Sequence, residues 1–239
     1  MTLETNDLLA FERPLIARGE IVVGLDEVGR GALAGPLTVG AVVITEITNP
    51  PPALTDSKLL TANRREGLQE PIKQWASAWS LGSVSSEEID EWGLRLALAV
   101  AATRAVQGLD VVPTHALIDG SFNLLDAPAD VKFGSSPAPE LLYSKIPHTT
   151  IVKGDQKSAT IAGASVLAKV SRDAFMTELS EEFPAYGWAG NKGYGAAGHL
   201  NALSEFGATV YHRRSWNLPE FQGKKIVPIS LFQRQMSGE

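Results

Sequence analysis

Two apolar, β-branched runs stand close together early in the chain. They are Ile21-Val22-Val23, leading into Gly24-Leu25, and Leu37-Thr38-Val39-Gly40-Ala41-Val42-Val43-Ile44. Short apolar runs bounded by glycine and proline read as strands. The join between them is glycine-rich and ends at Pro36, which leaves no room for a crossover helix. The two therefore predict an antiparallel hairpin. Residues 1 to 20 read as a short lead of a helical turn or two, and Asn49-Pro50-Pro51-Pro52 as a stiff connector.

Further along, the period changes. Thr61 has the form of an N-cap for a helix through about Ala76, with a kink or break at Pro71. Trp79 to Val84 predicts a third strand. Ser85-Ser86-Glu87-Glu88 has capping-box form, and Ile89, Trp92, Leu96, Ala99, Thr103 and Val106 then recur at helical spacing. That face belongs to the core, with Trp92 on it as packing. Ala116-Leu117-Ile118-Asp119-Gly120 is a short strand ending in an acid, and Thr149 to Val152 a further strand. The proline-rich stretch 126 to 147 between them reads as a loop. A long helix is predicted from about Ser158 to Glu182, with small side chains at its centre, Ala162-Gly163-Ala164-Ser165, that let a backbone approach a sheet closely. Another covers about Ala197 to Phe206; the tail after Trp216 has no clear pattern. The order of elements predicts the α/β class, a mixed sheet with helices on its faces.

Composition narrows the chemistry. The 239 residues fit one sizeable domain with a small appendage, divided here as 1–185 and 186–239. There is no cysteine, so any metal must sit on carboxylates, imidazoles or carbonyls, which favours Mg²⁺ or Mn²⁺ over zinc. No apolar run reaches membrane-spanning length, and the first residues lack signal-peptide form, so the expected compartment is the cytoplasm. The net charge of −6 argues against a nucleic-acid binder taken as a sum. Its distribution does not: Lys153, Lys157, Lys169, Arg172, Lys192, Arg213, Arg214, Lys224 and Lys225 concentrate positive charge in the second half.

The densest chemistry is in Gly24-Leu25-Asp26-Glu27-Val28-Gly29-Arg30-Gly31-Ala32-Leu33-Ala34-Gly35-Pro36. Two acids at a strand end suit a divalent cation, and the glycine loop lets backbone N–H groups approach a ligand. A dinucleotide-binding turn, with Glu46 as its ribose acid, needs a helix to open within the loop; a second strand follows instead.

This segment resembles the opening signature of the ribonuclease HII family, the type 2 ribonucleases H. Further matching blocks follow in the family's order: Asp56-Ser57-Lys58, Ile118-Asp119-Gly120, Lys153-Gly154-Asp155, Ile161 through Asp173, Gly193-Tyr194-Gly195, His199, and His212-Arg213-Arg214-Ser215. The resemblance covers about residues 20 to 217; the loop 126 to 147 is longer than is usual for the family. It implies a ribonuclease H-like mixed five-stranded sheet flanked by helices, followed by a helical C-terminal part that completes the substrate groove.

The resemblance also implies an endonuclease acting on RNA paired with DNA and 5′ of single ribonucleotides embedded in duplex DNA. Four carboxylates, Asp26, Glu27, Asp119 and Asp155, would hold two Mg²⁺ or Mn²⁺ ions about 3.5–4 Å apart. Neighbouring strand residues point to opposite faces, so Asp26 and Glu27 can share a metal only where the strand ends or bulges. Asp173 is the rival fourth acid, read mainly as an internal ion pair with Arg172. His199 and His212 read as packed histidines, with proton transfer as the alternative. By position, Gly29, Arg30 and Gly31 would read the 2′-OH, which separates RNA from DNA, and Tyr194 would stack on the following deoxyribose. Ser57, Lys58, Lys169 and Arg172 are placed on backbone phosphate. Two other functions are weighed: a binder that lost the chemistry, against which the intact acids stand, and a junction resolvase, against which the Gly-Arg-Gly loop and Tyr194 stand. The tail Pro228-Ile229-Ser230-Leu231-Phe232 resembles the peptides by which replication proteins dock on a sliding clamp.

Overall fold

The structure, a computed structural model, describes residues 7–55, 57–127 and 140–222. Its elements are α1 (Glu12–Ile16), β1 (Val22–Val28), β2 (Leu37–Ile44), α2 (Ala62–Trp75), β3 (Ala78–Val84), α3 (Ser86–Gln107), β4 (His115–Asp119), β5 (His148–Ile151), α4 (Ala159–Glu182), α5 (Trp188–Asn191) and α6 (Ala197–Phe206). The caps are where the sequence puts them. The Thr61 hydroxyl accepts from the Arg64 N–H, and Ser85 and Glu88 close a full capping box.

The five strands form one mixed sheet in the order β3-β2-β1-β4-β5. β1 is antiparallel to β2 and parallel to β4, so the sheet changes direction along its central strand. All eight residues of β2 are buried, and their alternation feeds two cores. Leu37, Val39, Ala41 and Val43 pack with α3; Val42 and Ile44 pack with Ile72 of α2 and Ala162, Ala164 and Val166 of α4. The small residues of α4 do what their size permits. A Cβ on Gly40 would lie 2.3 Å from the Ala164 carbonyl oxygen, and one on Gly24 2.3 Å from the Thr160 carbonyl carbon.

Two local expectations change, and a third gains detail. α2 runs through Pro71 to Trp75 without ending, because Leu68 and Ile72 on either side of the proline are buried against the sheet. α3 is interrupted at Gly93, whose φ of 74° and ψ of 159° lie outside the helix and divide a pattern that reads as continuous. The 126–147 loop is not bare. Leu141, Tyr143 and Ile146 pack against the α3-side core, while residues 128–139 lie outside the described part. Past α4, a third core of Met176, Leu179, Phe183, Tyr186, Trp188, Ala202 and Leu203 ties α5 and α6 to α4 and to Ala34 of the glycine loop.

Candidate active site

The parallel pairing of β1 with β4 stops at Leu25–Ile118, while β1 continues against β2 through Val28. Asp26 and Glu27 therefore stand on a strand with one neighbour missing. Asp119, the last residue of β4, lies beside the opening. The strand neither ends nor bulges at the two acids, contrary to expectation. The pleat sends Asp26 towards α4, where Ser165 hydrogen-bonds it, and Glu27 the other way, where Arg30 Nη1 lies 3.6 Å from its carboxylate. Both nevertheless line one cleft of about 440 Å³, because no strand closes that side. Asp155 arrives in a 3-10 turn after β5, entered through Lys153 in the left-handed region. The turn is fixed to β4 by the Gly154 N–H, which donates to Asp119 Oδ1 at 2.6 Å.

The acids act on one another. Burial, and then the charge of Glu27, push Asp26 well above the usual carboxylate range, with Asp119 and Asp155 adding to the rise. Burial raises Glu27 as well; Arg30 opposes this and Asp119 reinforces it. Against these four carboxylates stand Arg30 and the Lys58 ammonium, 4.0 Å from Asp155. Among the described residues no three acids or histidines converge on one point. The donor set is all hard oxygen and short of positive charge, and in that respect the residues fit a divalent cation such as Mg²⁺ or Mn²⁺.

The glycine loop forms the facing wall. Arg30, Gly31 and Tyr194 line the cleft with Lys58 and Lys169. The two loop glycines are needed for different reasons. Gly29 has φ +85°, and a Cβ there would meet Arg172 Nε at 2.3 Å; the protein itself excludes a side chain. A Cβ on Gly31 would meet nothing within 4 Å, so the space it leaves belongs to the cleft. The N–H groups of Arg30 and Gly31 have no hydrogen-bond partner among the described residues.

One expected phosphate contact is corrected. Arg172 is buried and donates to the carbonyls of Pro36 (2.8 Å), Lys192 (2.9 Å) and Ala34 (3.0 Å), so it braces the loop instead of facing a ligand. Its guanidinium also lies 5.5 Å from the Tyr194 ring centre. Arg213 does the same from further along, donating to Gly29 at 2.6 Å, Arg30 at 2.9 Å and Gly35 at 3.2 Å. Ser57 touches the cleft but is buried, its hydroxyl 2.9 Å from that of Ser165. Ser165 also hydrogen-bonds Asp26, so Ser57 joins a hydroxyl pair beside that acid. Lys169 reaches the cleft paired with Asp173 one turn on, so Asp173 has an ion-pair partner, but Lys169 in place of Arg172. Asp173 itself lines a different cleft with Arg65, Glu66, Glu178 and Lys192.

His199 and His212 are packed, and their hydrogen bonds define both tautomers. The Thr209 N–H donates to His212 Nδ1 at 2.9 Å, which leaves the proton on His212 Nε2. That nitrogen lies 3.0 Å from His199 Nε2, which also accepts from Trp188 Nε1 at 3.2 Å. His199 must then carry its proton on Nδ1, which donates to the Tyr194 carbonyl at 2.9 Å. Burial lowers the pKa of His199 and takes His212 down to about 3. The pair is a neutral brace behind Tyr194, not a proton shuttle at the acids. Tyr194 keeps 38% of its surface exposed on the cleft. Sequence reasoning missed Ser165, which shares a small-residue run with packing alanines, and the bracing role of Arg213.

Comparison with known proteins gives the family and the fold. Residues 23–218 match the family model described as "Ribonuclease HII". The chain is 44% identical over 212 residues to ribonuclease HII of Streptomyces avermitilis, covering 87% of this chain and 83% of that protein. Among solved structures it shares the fold of the Pyrococcus horikoshii OT3 ribonuclease H2, with a TM-score of 0.64, 24% identity, and 82% and 94% of the two chains covered. It also shares the fold of the PCNA:RNase HII complex from Archaeoglobus fulgidus, with a TM-score of 0.59, 24% identity, and 84% and 98% covered.

Proposed function

Because the chain belongs to the ribonuclease HII family, whose members are hydrolases of RNA in RNA/DNA hybrids, we propose that it also cleaves 5′ of a single ribonucleotide embedded in duplex DNA. The cut leaves 3′-hydroxyl and 5′-phosphate ends, and the activity removes ribonucleotides from DNA. One observation carries the reading: a backbone wall with room at Gly31 and N–H groups unpartnered among the described residues faces Asp26 and Glu27 across one cleft, with Asp119 and Asp155 close enough to act on Asp26 and an exposed tyrosine at the edge.

Asp26, Glu27, Asp119 and Asp155 would hold two divalent ions, Mg²⁺ or Mn²⁺. When bound, these would supply an activated water and offset charge on the scissile phosphate and the leaving oxygen. The chain's own residues do the rest. Gly29, Arg30 and Gly31 meet the 2′-OH through their backbone, a contact DNA cannot offer. Tyr194 lays its ring on the next deoxyribose, and Lys58, largely exposed, meets backbone phosphate. The 186–239 part completes the groove by carrying Tyr194.

The test is a duplex with one ribonucleotide, incubated with Mg²⁺, with Mn²⁺ and with EDTA. A single cut on the 5′ side of the ribonucleotide in either metal, and none in EDTA, is expected; an intact duplex in both metals overturns the reading. A sliding clamp is the protein partner proposed for Ser230, Leu231 and Phe232, which lie outside the described residues. The support is their sequence; the Archaeoglobus fulgidus RNase HII, which shares the fold, is in a complex with PCNA. Co-elution with clamp, lost on removing residues 228 to 239, is the expected result; no co-elution of the full chain at micromolar concentrations overturns it.

A further inference from the structure

At the edge of the cleft already described, the lining residue Arg30 and a second arginine outside it share one aromatic ring. Arg95 lies 4.1 Å from the centre of the Phe122 ring, and Arg30 lies 5.1 Å from it. Phe122 follows Asp119 by three residues and is half-buried against the α3-side core. Arg95 stands on α3 two residues after the interruption at Gly93. The ring thus joins the glycine loop to α3 across the end of β4.

The charges of this group are not balanced. Arg30 has Glu27 within 3.6 Å. Arg95 has no carboxylate within ion-pair distance among the described residues, and its N–H donors make no hydrogen bond there. Two like charges on one ring repel each other unless an anion lies between them or beside them. A guanidinium held flat on a ring presents its donor edge outward, in the fork that matches two oxygens of a phosphate. The ring also restricts the arginine beforehand, so less freedom is lost when the anion arrives.

From this geometry we infer that Arg95, held on Phe122 beside Arg30, is a binding site for a backbone phosphate of the nucleic-acid duplex on the α3 side of the cleft. The inference rests on the nuclease reading above and extends it by one contact. Arg95 and Phe122 position the duplex and touch no reacting atom.

The test uses the full chain, a duplex with one embedded ribonucleotide, and EDTA to hold the substrate intact while the dissociation constant is measured against salt. Arg95→Gln is expected to weaken binding about 10-fold and to lower the slope of log Kd against log salt by about one, the loss of one phosphate contact. Arg95→Lys keeps the charge and the slope but loses the fork, with an affinity between the two. Phe122→Leu keeps both charges and loosens them, so affinity falls while the slope holds. Thermal midpoints of all three establish that they fold. A wild-type Kd and slope in folded Arg95→Gln overturns the phosphate site and leaves the nuclease reading standing, provided the variant still cuts. A wild-type protein that neither binds nor cuts the duplex overturns both.

Discussion

Asp119 has two duties that one substitution separates. Its carboxylate raises the protonation of Asp26 and Glu27, and its Oδ1 holds the Gly154 N–H that sets the Asp155 turn. Asparagine retains an acceptor for Gly154 but removes the charge. Asp119→Asn should therefore fold and bind duplex as wild type does, and lose cleavage by about 100- to 1,000-fold, the scale of one charge-stabilising group. Asp26→Asn should behave alike. Turnover near wild type in either, measured on the embedded-ribonucleotide duplex, would remove the residue from the metal cage. Tyr194→Ala asks a different question. Its half-open ring faces the cleft, braced from behind by Arg172 and His199. Losing a stacking face of about 1–3 kcal/mol should lower kcat/KM on a single ribonucleotide by roughly 10- to 100-fold. A continuous RNA strand on DNA should lose less. The ratio of the two, in wild type and variant, is the measurement; an unchanged ratio makes Tyr194 a packing residue.

At the scale of elements, the start of α4 and the histidine pair decide how the acids and the tyrosine are held. Glu12 of α1 is fully buried, and its Oε1 accepts from Ser158 Oγ (2.6 Å), Thr160 N (3.0 Å) and Thr160 Oγ1 (2.9 Å), capping α4 from outside. Glu12→Ala should cost about 2 kcal/mol by leaving buried donors unmet, read as a lower thermal midpoint. The histidines give a pH signature. His212 is neutral in the fold down to about pH 3, but unfolded it takes a proton near 6.5. Between those values the unfolded chain binds more protons, so this pair's contribution to stability is complete above about pH 6.5 and is lost as pH falls. Asp26 and Glu27, with raised pKa values, have the opposite sign. His212→Gln should therefore flatten the fall in midpoint between about pH 6.5 and 5 relative to wild type; equal slopes would refute the neutral brace. Strand runs and caps were legible in the sequence, because period and cap chemistry are local, and the four acids were named there from the family's motifs. The cap from Glu12, the burial of Arg172 and the Asp173–Lys169 pairing were not. Each depends on which segment the fold brings alongside, and a charged side chain in isolation reads as solvated.

For the molecule as a whole, buried arginine changes the electrostatic account. Two of the cations that make the second half look basic, Arg172 and Arg213, have no surface to offer. With a net charge of −6, duplex binding then rests on few exposed cations, among them Lys58 and Arg30. Affinity should weaken with salt along a shallow slope over about 50 to 300 mM. A dissociation constant unmoved by salt would contradict the phosphate-lined groove.

The two guanidinium forks also bear on the order in which the site is assembled. Arg172 and Arg213 grip carbonyls of the loop 29–36 from more than a hundred residues downstream. The acids of β1 are made early, but the carbonyls of Gly29 and Arg30 opposite them meet their guanidinium donor only once Arg213 has been made and folded back. The wall of the cleft is thus a long-range product of the fold, while the acids of β1 are a local one.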